Sequence, residues 1–90
     1  VFAKQGKYQV SEQLYRQCLQ LQRHLNGDDH INTLSVLDDL AVVLMEQKKY
    51  TEAKLYHTNC LEKYTAKLGE FHPKTLNVMN NLAILYKVQG

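Results

Sequence analysis

Ninety residues, with 11 lysines and arginines against 9 aspartates and glutamates for a net charge of +2, suffice for one small domain and argue against a second. The charges are scattered, which speaks against a dedicated nucleic-acid or membrane-surface patch, and the longest apolar run, Leu40 to Met45, is far short of the roughly 20 residues a membrane span needs. No signal-peptide layout is visible at the start, so the chain reads as soluble and cytoplasmic.

In chain order, residues 1–6 read as the tail of a helix that Gln5-Gly6-Lys7 closes, because glycine accepts the sharp turn at no steric cost. Tyr8, Ser11, Leu14, Cys18 and Leu25 then recur at helical spacing up to a stop at Gly27. Asp28-Asp29 precedes the next helix, whose N-terminal dipole it favours. That helix carries Leu34, Leu37, Leu40, Ala41 and Leu44 on one stripe, as a buried face requires. Lys48 stands where the first turn has glycine, which leaves this turn less well specified. Tyr50, Ala53, Tyr56, Cys60, Tyr64 and Leu68 form the following stripe, ended by Gly69, and Pro73 pre-sets the start of a last helix through Leu76, Met79, Leu82, Ala83 and Tyr86. Gln89-Gly90 repeats the glycine stop.

These patterns are copies of one another. Placing Leu40 on Leu82, a shift of 82 − 40 = 42, also aligns Tyr8 with Tyr50, Cys18 with Cys60, Gly27 with Gly69, His30 with His72 and Thr33 with Thr75. In all, 14 of the 48 overlapping positions are identical, where unrelated sequence would show roughly three. The chain divides into 1–6, 7–48 and 49–90, each full unit holding a helix of the Tyr50 type (B) and one of the Leu34 type (A). Such hairpins cannot each bury their stripe alone, and stacking them into an all-α solenoid removes the problem; the 90 residues read as an excerpt of a longer array, with exposed apolar ends as the expected consequence. Cys18 and Cys60, at the same place in two units and outside any CxxC or Cys/His cluster, read as small buried, reduced thiols. The tyrosines at Tyr8, Tyr50, Tyr64 and Tyr86 read as stripe residues of the core.

Met79, Leu82-Ala83 and Tyr86, matched by Leu37, Leu40-Ala41 and Leu44 and followed by Tyr50, Ala53, His57 and Cys60, resemble the tetratricopeptide repeat. The unit is longer than the usual one of about 34 residues. In this, and in its "LGEFHPKTL", "NNLAILY" and "QGKY", it is similar to the repeats of kinesin light chains, whose arrays bind cargo adaptors through short acidic peptides. The resemblance implies a right-handed superhelix with A helices on the concave side and B helices outside, and hence a scaffold for a protein or peptide partner.

Carried onto this chain, the concave positions are Ser35, Asp38, Val42, Met45 and Glu46, then Asn77, Asn80, Ile84, Lys87 and Val88, with Ala3 and Lys4 before them. Seven of these form the candidate peptide site: Asp38, Val42, Met45, Asn77, Asn80, Ile84 and Lys87. Asparagine amides offer both donor and acceptor to an extended backbone, lysines pair with acidic residues, and Val42, Met45 and Ile84 supply an adaptable apolar floor. Asp38 and Asp39 replace the asparagines of the next unit, which disfavours a purely acidic peptide there. Val42 and Ile84 stand where carboxylate-gripping tetratricopeptide domains use an asparagine, and that mode is not expected.

No catalytic grouping, phosphate loop or paired carboxylate motif occurs, and neither a cofactor nor a small-molecule substrate is expected. His24, His30, His57 and His72 lack i, i+4 spacing for a metal, and His30 and His72 are expected to hydrogen-bond the turns they repeat in. The alternative to a groove binder is a repeat used for self-association or for regulating an attached domain, in which the end faces matter more. A nucleic-acid reader is disfavoured by Asp38 and Glu46 in the predicted groove.

Overall fold

The computed structural model describes the backbone of residues 2–89 and the side chains from residue 6 to residue 89. Four helices follow in order: α1 (Phe2–Asn26), α2 (Ile31–Glu46), α3 (Tyr50–Leu68) and α4 (Pro73–Gln89), with no strand among the described residues. Each packs against the next, and α4 also touches α2, so the A-type helices α2 and α4 lie side by side while the B-type helices α1 and α3 flank them.

The two B-to-A loops are built alike because their sequences repeat. Gly27 and Gly69 take left-handed φ values of 86° and 91°, which glycine adopts without strain. Thr33 and Thr75 then donate their hydroxyls back to the carbonyls of Gly27 and Gly69, both at 2.8 Å. His30 and His72 accept through Nδ1 from the backbone N–H two residues on, at 3.0 and 3.1 Å, satisfying a helix-start donor that would otherwise lack a partner. The hydrogen bonding at the turns expected of these histidines is therefore present, and it takes the form of a helix cap. Asp28 and Asp29 do not cap α2; they pair with Arg23 and Lys63 instead.

The A-to-B turn at Gln47–Lys49 is different. Lys48 has φ 66°, a conformation that a side chain disfavours by about 1–2 kcal/mol. The turn is held from outside by Glu12 of α1, whose carboxylate accepts from Gln47 Nε2 at 2.7 Å, Lys49 Nζ at 3.0 Å and Arg16 Nε at 2.9 Å. Burial alone would raise the Glu12 pKa, but these donors bring it down to about 2. Arg16 also reaches Glu52 of α3 at 2.8 Å, which ties α1 to α3 across the turn.

The break expected at Gln5-Gly6-Lys7 does not occur, because α1 runs unbroken from Phe2 through these residues. Glycine permits a turn without imposing one, and Gly6 is exposed with no neighbour that would hold the chain bent. The side chains of Ala3 and Lys4, and the whole of Val1 and Gly90, lie outside the described residues.

The core centres on α2, which is the helix with neighbours on two sides. Leu40, Ala41 and Leu44 are fully buried, joined by Leu34 and Leu37, Leu19 of α1, Ala53, Cys60 and Tyr64 of α3, and Val78, Leu82 and Leu85 of α4. Each fully buried leucine contributes about 2–3 kcal/mol of transfer free energy. Cys60 lies inside and donates to the Leu34 carbonyl, and burial pushes its thiol up to about 12. Cys18 is exposed, contrary to the expectation of two buried thiols, because none of the described helices covers that side of α1. For the same reason Leu76, Met79 and Tyr86 of the α4 stripe are about half exposed, whereas Thr75, Val78, Leu82 and Leu85 turn toward α3.

Candidate peptide-binding surface

An A helix in this arrangement has three claims on its circumference: the preceding B helix, its own B helix and the adjacent A helix. What remains is a stripe at i, i+4, i+7 and i+11. In α2 it is Ser35, Asp39, Val42 and Glu46, all exposed or half-buried; in α4 it is Asn77, Asn81, Ile84 and Val88. Side chains at this spacing share one helix face, so the two stripes run along a common surface.

Asp38 is not part of that surface. It is only 8% exposed and accepts from His57 Nδ1 of α3 at 2.7 Å, while Asn81 Nδ2 of α4 lies 3.4 Å from its other oxygen. One carboxylate thus joins three helices, and its placement in the groove is corrected to a packing role. The second ring nitrogen of His57 is buried without a hydrogen-bond partner. Met45 is likewise half-buried against the core.

The remaining predicted residues are accessible. Val42 is half-buried on the α2 stripe, and Asn77 and Ile84 are exposed on the α4 stripe. Asn80 and Lys87 are exposed too, but they occupy the positions of Asp38 and Met45, beside the stripe. Asn77 and Asn80 are brought together, and with Pro73, Lys74 and Leu76 they line a shallow hollow of ≈ 600 Å³.

Three polar residues of this surface were absent from the concave positions drawn from the sequence. Asp39 has its carboxyl pushed up by desolvation against the neighbouring helices and by the Asp38 carboxylate, with Lys74 acting in the opposite direction. Lys74 and Asn81 complete the set. Steps of three and of four from Ser35 both keep to one helix face, so spacing alone does not choose between Asp38 and Asp39. The surface is acidic along α2, through Asp39 and Glu46, and neutral to basic along α4, through the asparagines, Lys74 and Lys87.

A family model described as the tetratricopeptide repeat matches residues 1–62 and, in a second placement, 36–90. The chain belongs to the tetratricopeptide repeat family. Tetratricopeptide repeats are in general protein-interaction scaffolds and typically carry no catalysis. Among solved structures, the crystal structure of BtubC (BKLC) from P. vanneervenii is similar to this tetratricopeptide chain with a TM-score of 0.86 and 21% identity, over 93% of this chain and 33% of that one. The likeness is one of fold, and the chain spans about a third of that structure. A comparison with curated proteins finds no match. None of the described helices is long and apolar enough to cross a membrane.

Proposed function

We propose that this chain is a peptide-binding scaffold that presents the α2 and α4 stripes to an extended segment of a partner protein. The observation that carries the reading is the accessible stripe of Asn77, Ile84 and Val88, with half-buried Asn81 among them, beside that of Ser35, Asp39, Val42 and Glu46. Asn77 and Asn80, which line one hollow on α4, offer amides to a peptide backbone, and Val42 and Ile84 offer apolar contact beside them. The similarity of the lengthened unit to kinesin light chain repeats supports a linear motif as the partner.

The charge distribution orders that motif. Acidic residues fit beside Lys74 and Lys87, and basic or neutral ones beside Asp39 and Glu46, so a peptide of mixed charge binds better than a wholly acidic one.

An immobilised library of linear peptides, probed with the 90-residue chain, tests this. Asn77→Ala and Ile84→Asp should each weaken the selected peptides by about tenfold or more, with helicity unchanged because both side chains are exposed. Asp38→Asn should lower stability and leave peptide selection as it was. Peptides captured equally well by the Asn77→Ala and Ile84→Asp variants would place the binding surface elsewhere.

A further inference from the structure

The valley between α2 and α4 changes its chemistry along its length. The connections at 47–49 and 69–72 are three and four residues long, so successive helices run antiparallel and α2 and α4 run parallel. Asn81 of α4 donates to Asp38 of α2 at 3.4 Å, which sets the register of the two stripes. In that register Lys74 stands at the helix starts and Asn77 and Asn81 follow it. Ile84 then stands beside Val42, and Val88 beside Glu46 at the helix ends. From one end to the other the valley is basic, then amide, then apolar, then acidic.

The backbone reinforces this order. Both helices point their N-termini toward Lys74 and their C-termini toward Glu46, so the two macrodipoles place partial positive charge at one end and partial negative charge at the other. Lys74 and Glu46 are both exposed, and the Glu46 carboxylate accepts from the Tyr8 hydroxyl at 3.2 Å. Lys87 occupies the position of Met45, on the flank turned away from α2, and stands outside the order.

We infer, resting on the peptide-scaffold reading, that the bound segment lies lengthwise in this valley and carries an acidic residue, an apolar residue four places from it and a basic residue six places from it. The spacings agree. The fourteen residues from Lys74 to Val88 rise about 21 Å. An extended chain advances about 6.7 Å for each pair of residues and turns alternate side chains to one face, so its first, third, fifth and seventh side chains span about 20 Å. The first meets Lys74, and the third lies between Asn77 and Asn81 with Asp39 as a further acceptor. The fifth meets Ile84 and Val42, and the seventh meets Glu46. A segment crossing the helices would instead meet α2 and α4 at places about 8–10 Å apart, or about three extended residues. The separation of the two peptide charges therefore distinguishes the two arrangements.

Fluorescence anisotropy of the labelled peptide Glu-Thr-Ser-Thr-Leu-Thr-Arg with the 90-residue chain tests this, threonine favouring the extended form. The rearranged peptide Ser-Thr-Glu-Thr-Leu-Arg-Thr, of equal composition but with its charges three places apart, should bind about tenfold more weakly or worse. Lys74→Glu should weaken the first peptide by about tenfold, and lysine in place of the peptide glutamate should restore it. Glu46→Lys should respond in the same way to glutamate in place of the peptide arginine. Both positions are exposed, and circular dichroism checks that helicity is unchanged. Equal or tighter binding of the rearranged peptide overturns the lengthwise order, as does the failure of both charge exchanges to restore binding. If neither peptide binds while library-selected peptides still weaken with Asn77→Ala and Ile84→Asp, the lengthwise order fails and the scaffold reading stands. If no peptide responds to those two variants, both fail.

Discussion

Helices α2 and α4 are copies of one pattern 42 residues apart, yet they occupy different physical situations. The packing stripe of α2, with α1 on one side and α3 on the other, is buried from Thr33 to Leu44; α4 has α3 on one side only, so Leu76, Met79 and Tyr86 reach solvent. The same residue types at the same spacing thus stabilise the fold in one copy and form a free surface in the other. Periodicity selects a face, but the neighbouring helices decide whether that face is buried.

The largest expected effect breaks this comparison directly. Leu37→Ala should cost about 3 kcal/mol in urea denaturation, since a side chain 3% exposed would leave a cavity between α2 and α3. Met79→Ala, the same position in α4 at 48% exposed, should cost under about 1 kcal/mol. Equal losses would mean that the α4 face is covered in solution.

Acid should act next, on the turn after α2. Glu12 clasps the turn after α2, and its counterpart 42 residues on is Lys54, which instead lies over the Tyr86 ring at 4.9 Å. Because the Glu12 pKa falls from 4.5 to about 2 in the folded chain, its stabilisation is complete above pH 4.5 and is lost as pH falls toward 2. Allowing for solvent screening, the loss is on the order of 1–2 kcal/mol. Glu12→Gln should remove that part of the acid dependence, measured as the urea midpoint at several pH values. A profile identical to that of the parent chain would assign the acid sensitivity to other carboxylates, Glu52 foremost, which Arg16 also holds below the usual range.

The smallest effect sharpens the same contrast at the turn itself. Lys48 holds a left-handed φ of 66° where the other copies of the unit have Gly6 and Gly90. Lys48→Gly should raise stability by about 0.5–1 kcal/mol, the relief of strain exceeding the entropy that glycine adds to the unfolded chain. A lower melting temperature in this variant would show that the Lys48 side chain contributes contacts that outweigh the strain.

Much of this was legible in the residues. Gly27, Gly69 and Pro73 mark helix boundaries because their backbone preferences are local, and Thr33 with Thr75 and His30 with His72 repeat because each hydrogen bond they make closes within six residues. The continuous α1 was not legible, since Gly6 tolerates helix and turn alike and only neighbours choose between them. Nor was the exclusion of Asp38 from the binding surface: Asp38 and Asp39 are adjacent and chemically identical, and the helical step between them turns one into the α3 interface and the other out to solvent. Cys18 and Cys60 make the same point, because equal sequence positions gave unequal burial.

By itself, then, the sequence determined the four helical stripes with the glycines and proline that bound them, the repeat and the membership of the tetratricopeptide family, all properties of backbone preference and spacing. The tertiary structure alone decided which copy of each stripe is buried, which carboxylate His57 takes and which face is left exposed. Burial depends on what stands on the other side of a helix, and that information is carried by residues distant in the chain.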